Sequence, residues 1–273
     1  MKKALIGVCD NAAKHSSKIK VWASSFKKHC SGPVILILVN PTSSDIAAIE
    51  NLEITVVCIN HTFKNVETVN DARLQYVKNV LTNINAEIVL VTDVFDVVFQ
   101  DDPFKQLDID KYDVFVSGEG ILTREEPWNT YVLNTCFPAF NPACLDQEVI
   151  CSGVIAGKTK ALIALYSTMQ KYLNLATDKY NIRDQAALQL AIVNNEVPNL
   201  KVFNLDEAWT VHCAVAGPTD LFTAWDFKRN IAKKYSIPKM VNGKVVTDTK
   251  HYAVVHQFNR VPDWHLILTK GYE

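Results

Sequence analysis

The chain has 273 residues, 48% of them hydrophobic and 21% charged, with a formal net charge of −1. That is enough apolar material for a sizeable core and too little charge for disorder. A near-neutral balance, with lysines in short scattered runs, excludes nucleic acid or an anionic membrane as a partner chosen by bulk electrostatics.

The N-terminal "MKKALIGVCDN" has too few apolar residues before Asp10 for a signal peptide and reads as a first strand. Further apolar runs, "VILILV" (34–39), "ITVVCI" (54–59), "IVLVT" (88–92) and "DVFVSG" (113–118), read as strands. Amphipathic stretches near 16–30, 43–51 and 68–84 read as helices between them. Continuous apolar strands separated by helices predict an α/β fold, a doubly wound, mostly parallel sheet covered on both faces. Ligands then belong at the carboxyl ends of the strands. The second half is less regular: a strand over "EVICSGVIAG" (148–157), helices near 159–174 and 183–195, and a strand near 201–204. A loop-rich stretch through about 238 precedes "KMVNGKVV", whose Asn242-Gly243 suits a type I′ hairpin turn. "HYAVVHQF" (251–258) closes the sheet region. With no linker or repeat, one domain over 1–273 is expected. Nowhere does an apolar run approach the roughly 18 residues of a membrane helix. Seven cysteines form an odd set without a Cys-x-x-Cys pair, and several lie in apolar runs where a thiol packs as a small hydrophobe. A reducing, cytoplasmic setting fits this better than a disulfide-stapled one, which makes the Asn60-His61-Thr62 glycosylation sequence a coincidence.

The stretch "VLVTDVFDVVFQDDPF" (89–104) places Asp93 at a strand tip and Asp96 three residues on. Two carboxylates converging there repel unless a cation lies between them. A divalent metal with hard oxygen ligands, Mg²⁺ or Mn²⁺, resolves this and often arrives with phosphates. An Asx turn or helix cap is the plainer alternative. In the helix over about 68–84, Arg73 shares the apolar stripe of Val69, Tyr76, Val77 and Val80. From Arg73 that helix rises roughly 18 Å. The next strand returns roughly 20 Å to Asp93, so both reach one edge. A guanidinium there either holds a diphosphate or orients a carboxylate; a structural Arg–Asp pair is the alternative. Asp184 falls on the inner face of its helix, or caps it together with Asn181. Trp128, Trp209, His212 and Trp225 lie in irregular stretches where exposed aromatics stack on sugars, although core packing is the commoner use of Trp.

In order, "DARLQYVKNVL", "VLVTDVFDVVFQDDPF", "CSGVIAGKTKAL", "RDQAALQLAI" and "VVHQF" span residues 71 to 258. This ordered set resembles nucleotide-diphospho-sugar glycosyltransferases of GT-A fold. Those enzymes commonly end a central strand in Asp-x-Asp, and here one extra residue separates the acids. The resemblance implies a nucleotide-binding half (1–120) and an acceptor half (121–273), with a UDP- or GDP-sugar donor and a glycan or other hydroxyl acceptor. It assigns the metal to Asp96 with His256, and Asp93 to the metal or the donor ribose. It further implies Asp10 and Asn11 at the nucleotide base, and Ser152 and Gly153 where a sugar approaches the backbone closely. Asp184 and Gln185 then face the donor sugar or acceptor, and Arg73 the diphosphate. If a base is needed, Asp184 leads, with Asp146 and Glu148 behind it. A non-catalytic nucleotide-sugar-binding protein is the alternative. An aspartate-nucleophile phosphohydrolase would need a second Asp at position 95, which is Phe95.

Overall fold

The computed structural model describes residues 1–64, 66–217, 231 and 234–272. Strands β1 (Lys3–Cys9), β2 (Val34–Val39), β3 (Thr55–Ile59) and β4 (Ile88–Thr92) alternate with helices α1 (Ser16–His29), α2 (Ser43–Ala47) and α3 (Val69–Asn83). β1, β2 and β4 lack hydrophobic–polar alternation because both of their faces are covered, whereas the edge strand β3 is partly exposed. Successive residues, Leu5 and Ile6, Leu36 and Ile37, Val89 and Leu90, enter two different cores. Ile19, Trp22 and Phe26 of α1 fill one core; α3 and later helices fill the other.

There follow β5 (Val97–Phe99), β6 (Val114–Leu122), α4 (Pro127–Cys136), β7 (Glu148–Ile150), β8 (Val154–Lys158), α5 (Thr159–Leu175) and α6 (Asp184–Val193). Then come β9 (Leu200–Phe203), β10 (Thr210–His212), β11 (Lys239–Val241), β12 (Lys244–Val246), β13 (Val254–His256) and a last helix, Pro262–Thr269. The main sheet has eight strands in the order β3-β2-β1-β4-β8-β6-β7, with β9 against β6. β1 to β4, β6 and β9 share one direction; β7 and β8 run against them. The expected α/β architecture, a mostly parallel sheet between helices, is therefore present. Chain order reverses between β1 and β4, which opens a crevice at their carboxyl ends. Among the described residues no helix is long and apolar enough to cross a membrane.

Two sequence expectations need correction. The apolar run 148–157 is two strands, β7 and β8, broken by a turn at Ser152 and Gly153. There the backbone is diverted: Gly153 O accepts from the Asp93 N–H at 2.8 Å, and Ser152 O accepts from Arg73. The run 251–258 does not join the main sheet. Its strand β13 lies between β10 and β5 in a separate three-stranded sheet. Val254 packs into the α1-side core while Val255 enters a third core with Tyr252, Phe258 and Trp264. The hairpin β11–β12 forms as expected, with Asn242 (φ 50°) and Gly243 (φ 78°) both left-handed.

Candidate active site

The acidic tip is completed by strand pairing. Asp96 directly precedes β5, and the first residue of β5, Val97, pairs with His256 of β13. This sets His256 Nε2 3.2 Å from Asp93 Oδ2 and 3.6 Å from Asp96 Oδ1. Behind the ring, His256 Nδ1 lies 2.9 Å from His212 Nδ1 and 3.5 Å from Cys151 Sγ. A Cβ at Gly153 would stand 2.8 Å from both Asp93 Oδ2 and His256 Nε2, so only glycine leaves the space between acid and imidazole open.

α3 delivers Arg73 to the same edge, as the lengths of helix and strand require. The buried guanidinium donates through Nη1 to Asp93 Oδ1 and through Nη2 to Asp184 Oδ2. Nη2 also reaches the carbonyl and hydroxyl oxygens of Ser152, each at 3.2 Å. The Ser152 hydroxyl donates to Asp184 Oδ2 at 2.9 Å, and the Ser152 N–H donates to Gln185 Oε1 at 3.2 Å. Arg73, Asp93, Ser152, Asp184 and Gln185 thus form one bonded chain, with Gly153, Asp96 and His256 against it. Asp184 is 1% exposed and does not cap α6; the cap residue is Arg183, and the Asp184 carboxylate turns inward to Arg73. Beside this contact, Arg183 of the α6 start binds Asp71 of α3 at 2.8 Å.

A cavity of about 580 Å³ opens on this chain, with Glu119, Trp128, Tyr180 and Arg260 on its other walls. The Trp128 indole N–H donates to the Tyr180 hydroxyl at 3.0 Å, which fixes the ring. Glu119 is missing from the sequence expectations although its signal matches that of Asp93, an acid toward the tip of an apolar strand. Other expected residues lie elsewhere. Asp10 and Asn11 stand at the carboxyl end of β1, outside the cavity lining. Trp209 is fully buried, donates to Pro103 O at 2.9 Å and packs on Phe203, so it is core and not a sugar platform. His212 is likewise a buried strand residue. Trp225 lies outside the described residues. Asp146 is exposed and pairs with Arg124; Glu148 binds Lys234 and Tyr235.

The electrostatics divide the acids. Burial pushes the Asp93 carboxyl up, but Arg73 and His256 outweigh it and hold the group well below the usual carboxylate range. Asp96 moves the other way, raised by burial and by the charge of Asp93. Burial also lifts Glu119 to about 8, with the charge of Glu126 adding to it, so this acid is neutral at pH 7. His212 is held well below the ordinary histidine range by burial and by His256.

No family model matches the sequence, and no curated protein matches it. Among solved structures, the chain is similar to the galactosyltransferase LgtC in complex with donor and acceptor sugar analogs. The TM-score is 0.54 at 13% identity, covering 93% of this chain and 86% of that one. It is also similar to an active-site glutamine-to-glutamate variant of LgtC, with TM-score 0.55, 11% identity and the same coverage. At such identity the likeness is one of fold, and that fold is of GT-A type.

Proposed function

We propose that this chain is a metal-dependent glycosyltransferase that moves a sugar from a UDP- or GDP-sugar to a hydroxyl of a glycan or other acceptor. One observation carries the reading. Asp93 and His256 line one cavity with Arg73 and the arginine-bound Asp184, at the carboxyl end of β4, and Asp96 stands against His256 to complete an acid–acid–imidazole trio. An acidic wall of this kind attracts a diphosphate only if a cation lies between them. Asp93, Asp96 and His256 are spaced to hold one, and Gly153 keeps the space open. Mn²⁺ or Mg²⁺ bound there would neutralise charge developing on the leaving nucleoside diphosphate. Arg73 has its two terminal nitrogens on protein oxygens, so its task is to fix the Asp93 and Asp184 carboxylates and not to clamp phosphate. Asp184, so fixed, accepts a hydrogen bond from a sugar hydroxyl, with Gln185 beside it. The turn at Ser152 and Gly153 lets the sugar approach backbone. Asp10 and Asn11, at the same sheet edge, hold the nucleotide base. The odd cysteine set without a Cys-x-x-Cys pair supports a cytoplasmic setting.

The test is calorimetric titration with UDP and with GDP, in Mn²⁺ and in excess chelator, followed by release of nucleotide from the matching sugar donors. We expect metal-dependent binding of one nucleotide and turnover of its donor. Binding that is equally tight in chelator would refute the metal role. Tight donor binding with neither hydrolysis nor transfer across an acceptor panel would instead assign a binding protein.

A further inference from the structure

His256 presents its two ring nitrogens to two different sets of donors. Nε2 faces Asp93 and Asp96, as described. Nδ1 faces Cys151 Sγ at 3.5 Å and His212 Nδ1 at 2.9 Å, and these three donor atoms lie within 4.8 Å of one another. A tetrahedral Zn²⁺ holds nitrogen at ~2.0–2.1 Å and sulfur at ~2.3 Å, which separates adjacent donors by roughly 3.3–3.6 Å. The sulfur–nitrogen spacing of 3.5 Å falls in that range, and the nitrogen pair at 2.9 Å has to part by only about 0.4 Å to reach it. The three residues are preset by the fold: His212 and His256 are register partners in β10 and β13, and Cys151 leads into the turn between β7 and β8. All three are at least 97% buried, yet Cys151 and His256 still contribute to the cavity wall, which gives an ion a path in. His212 Nε2 meets no hydrogen-bonding partner among the described residues, so its ring is placed by what happens at Nδ1.

We propose that Cys151, His212 and the Nδ1 of His256 form a second cation site, which takes Zn²⁺ and competes with the acidic site for His256. The donor sets differ in kind. Thiolate and imidazole select a borderline-soft ion, whereas two carboxylates suit Mg²⁺ or Mn²⁺. Competition follows because a neutral imidazole has one lone pair and one ring proton. With the lone pair on Nε2, the ring serves the acids and its Nδ1–H points at His212 Nδ1. When Zn²⁺ binds, the ring proton moves to Nε2, where Asp93 accepts it in a hydrogen bond. The Cys151 thiol loses its proton to solvent, and the Nδ1 lone pairs of both rings face the ion. The competition rests on the acid-site reading above; the Cys–His–His site itself does not.

Co²⁺, a spectroscopic stand-in for Zn²⁺, separates the two. Added to the intact chain, it should give the near-ultraviolet thiolate-to-cobalt absorption of a cysteine ligand. Zn²⁺ should displace it. Cys151→Ser should abolish the band, and Asp96→Asn, which removes only an acidic ligand, should keep it. His212→Gln should weaken Zn²⁺ binding at least about tenfold, which preserves the test if the serine variant fails to fold. The Mn²⁺ paramagnetic resonance signal then reports competition, with Zn²⁺ expected to lower Mn²⁺ affinity in the parent and not in Cys151→Ser. Absence of a thiolate band in the parent, or its survival in Cys151→Ser, overturns the site. Loss of the band in Asp96→Asn shows there is one site and not two. Undiminished Mn²⁺ affinity in saturating Zn²⁺ overturns the competition alone.

Discussion

Two acids in one cavity illustrate why a residue's environment matters more than its type. Asp184 receives Arg73 and the Ser152 hydroxyl on one oxygen, so the fold is arranged around its charge. Glu119 is neutral at pH 7 because burial and Glu126 hold its proton on. The amide substitution should therefore act oppositely at the two positions. Asp184→Asn removes a charge the network needs; we expect at least a tenfold fall in donor turnover, a barrier increase of about 1.4 kcal/mol. Glu119→Gln replaces a neutral donor with a neutral donor of similar size, and turnover should stay within about twofold, ~0.4 kcal/mol. Initial rates of nucleotide release for both variants, beside their melting temperatures, check this. Equal losses would mean that both carboxyls work as anions. Full activity in Asp184→Asn would remove that residue from the site.

At the scale of elements, α3 and α6 are joined by two crossed ion pairs, Arg73 with Asp184 and Asp71 with Arg183. The second pair touches no cavity wall, and its work is to seat the start of α6 so that Asp184 meets Arg73. Removing one partner strands a buried charge, which typically costs about 3–5 kcal/mol. We predict that Arg183→Leu lowers unfolding free energy by about 3 kcal/mol in denaturant titration, and that adding Asp71→Asn recovers much of it. If the single variant is as stable as the parent, the pair is ornamental. This tie also shows where sequence reading stops. Arg73 could be placed beside Asp93 because one helix and one strand, adjacent in the chain, have countable lengths. Its bond to Asp184 spans 111 residues, and no periodicity reports it. The same holds for β5, β10 and β13, each three residues long, too short to show alternation. Their pairing nevertheless decides where His256 stands. By contrast, α4 carries its signal in the sequence: Glu126 caps it, accepting from the Asn129 N–H at 2.6 Å, and Pro127 opens its first turn.

Seen whole, the acidic site is a joint between two sheets. Asp93 directly follows a strand of the main sheet, His256 belongs to the small one, and Asp96 lies at the end of the short connection between them. A ligand bound at such a joint stabilises the folded chain as a unit, because separating the sheets destroys the site. Linkage gives the size: a ligand at a hundred times its dissociation constant adds about 2.7 kcal/mol if it does not bind the unfolded chain. For a chain of this length each kcal/mol moves the melting temperature by roughly 2–4 °C, so the expected rise is roughly 5–10 °C. We predict this rise for Mn²⁺ together with the accepted nucleoside diphosphate, a smaller one for Mn²⁺ alone, and none for the nucleotide in chelator. Thermal unfolding followed by two probes, tryptophan fluorescence and far-ultraviolet circular dichroism, checks it. Trp22 is buried in the α1-side core and Trp264 in the small-sheet core, so their fluorescence reports both layers. A joint requires the two probes to shift together on ligand addition. Unfolding that splits into two transitions, with only one of them raised by ligand, would place the ligand within a single layer and away from the Asp93–His256 contact.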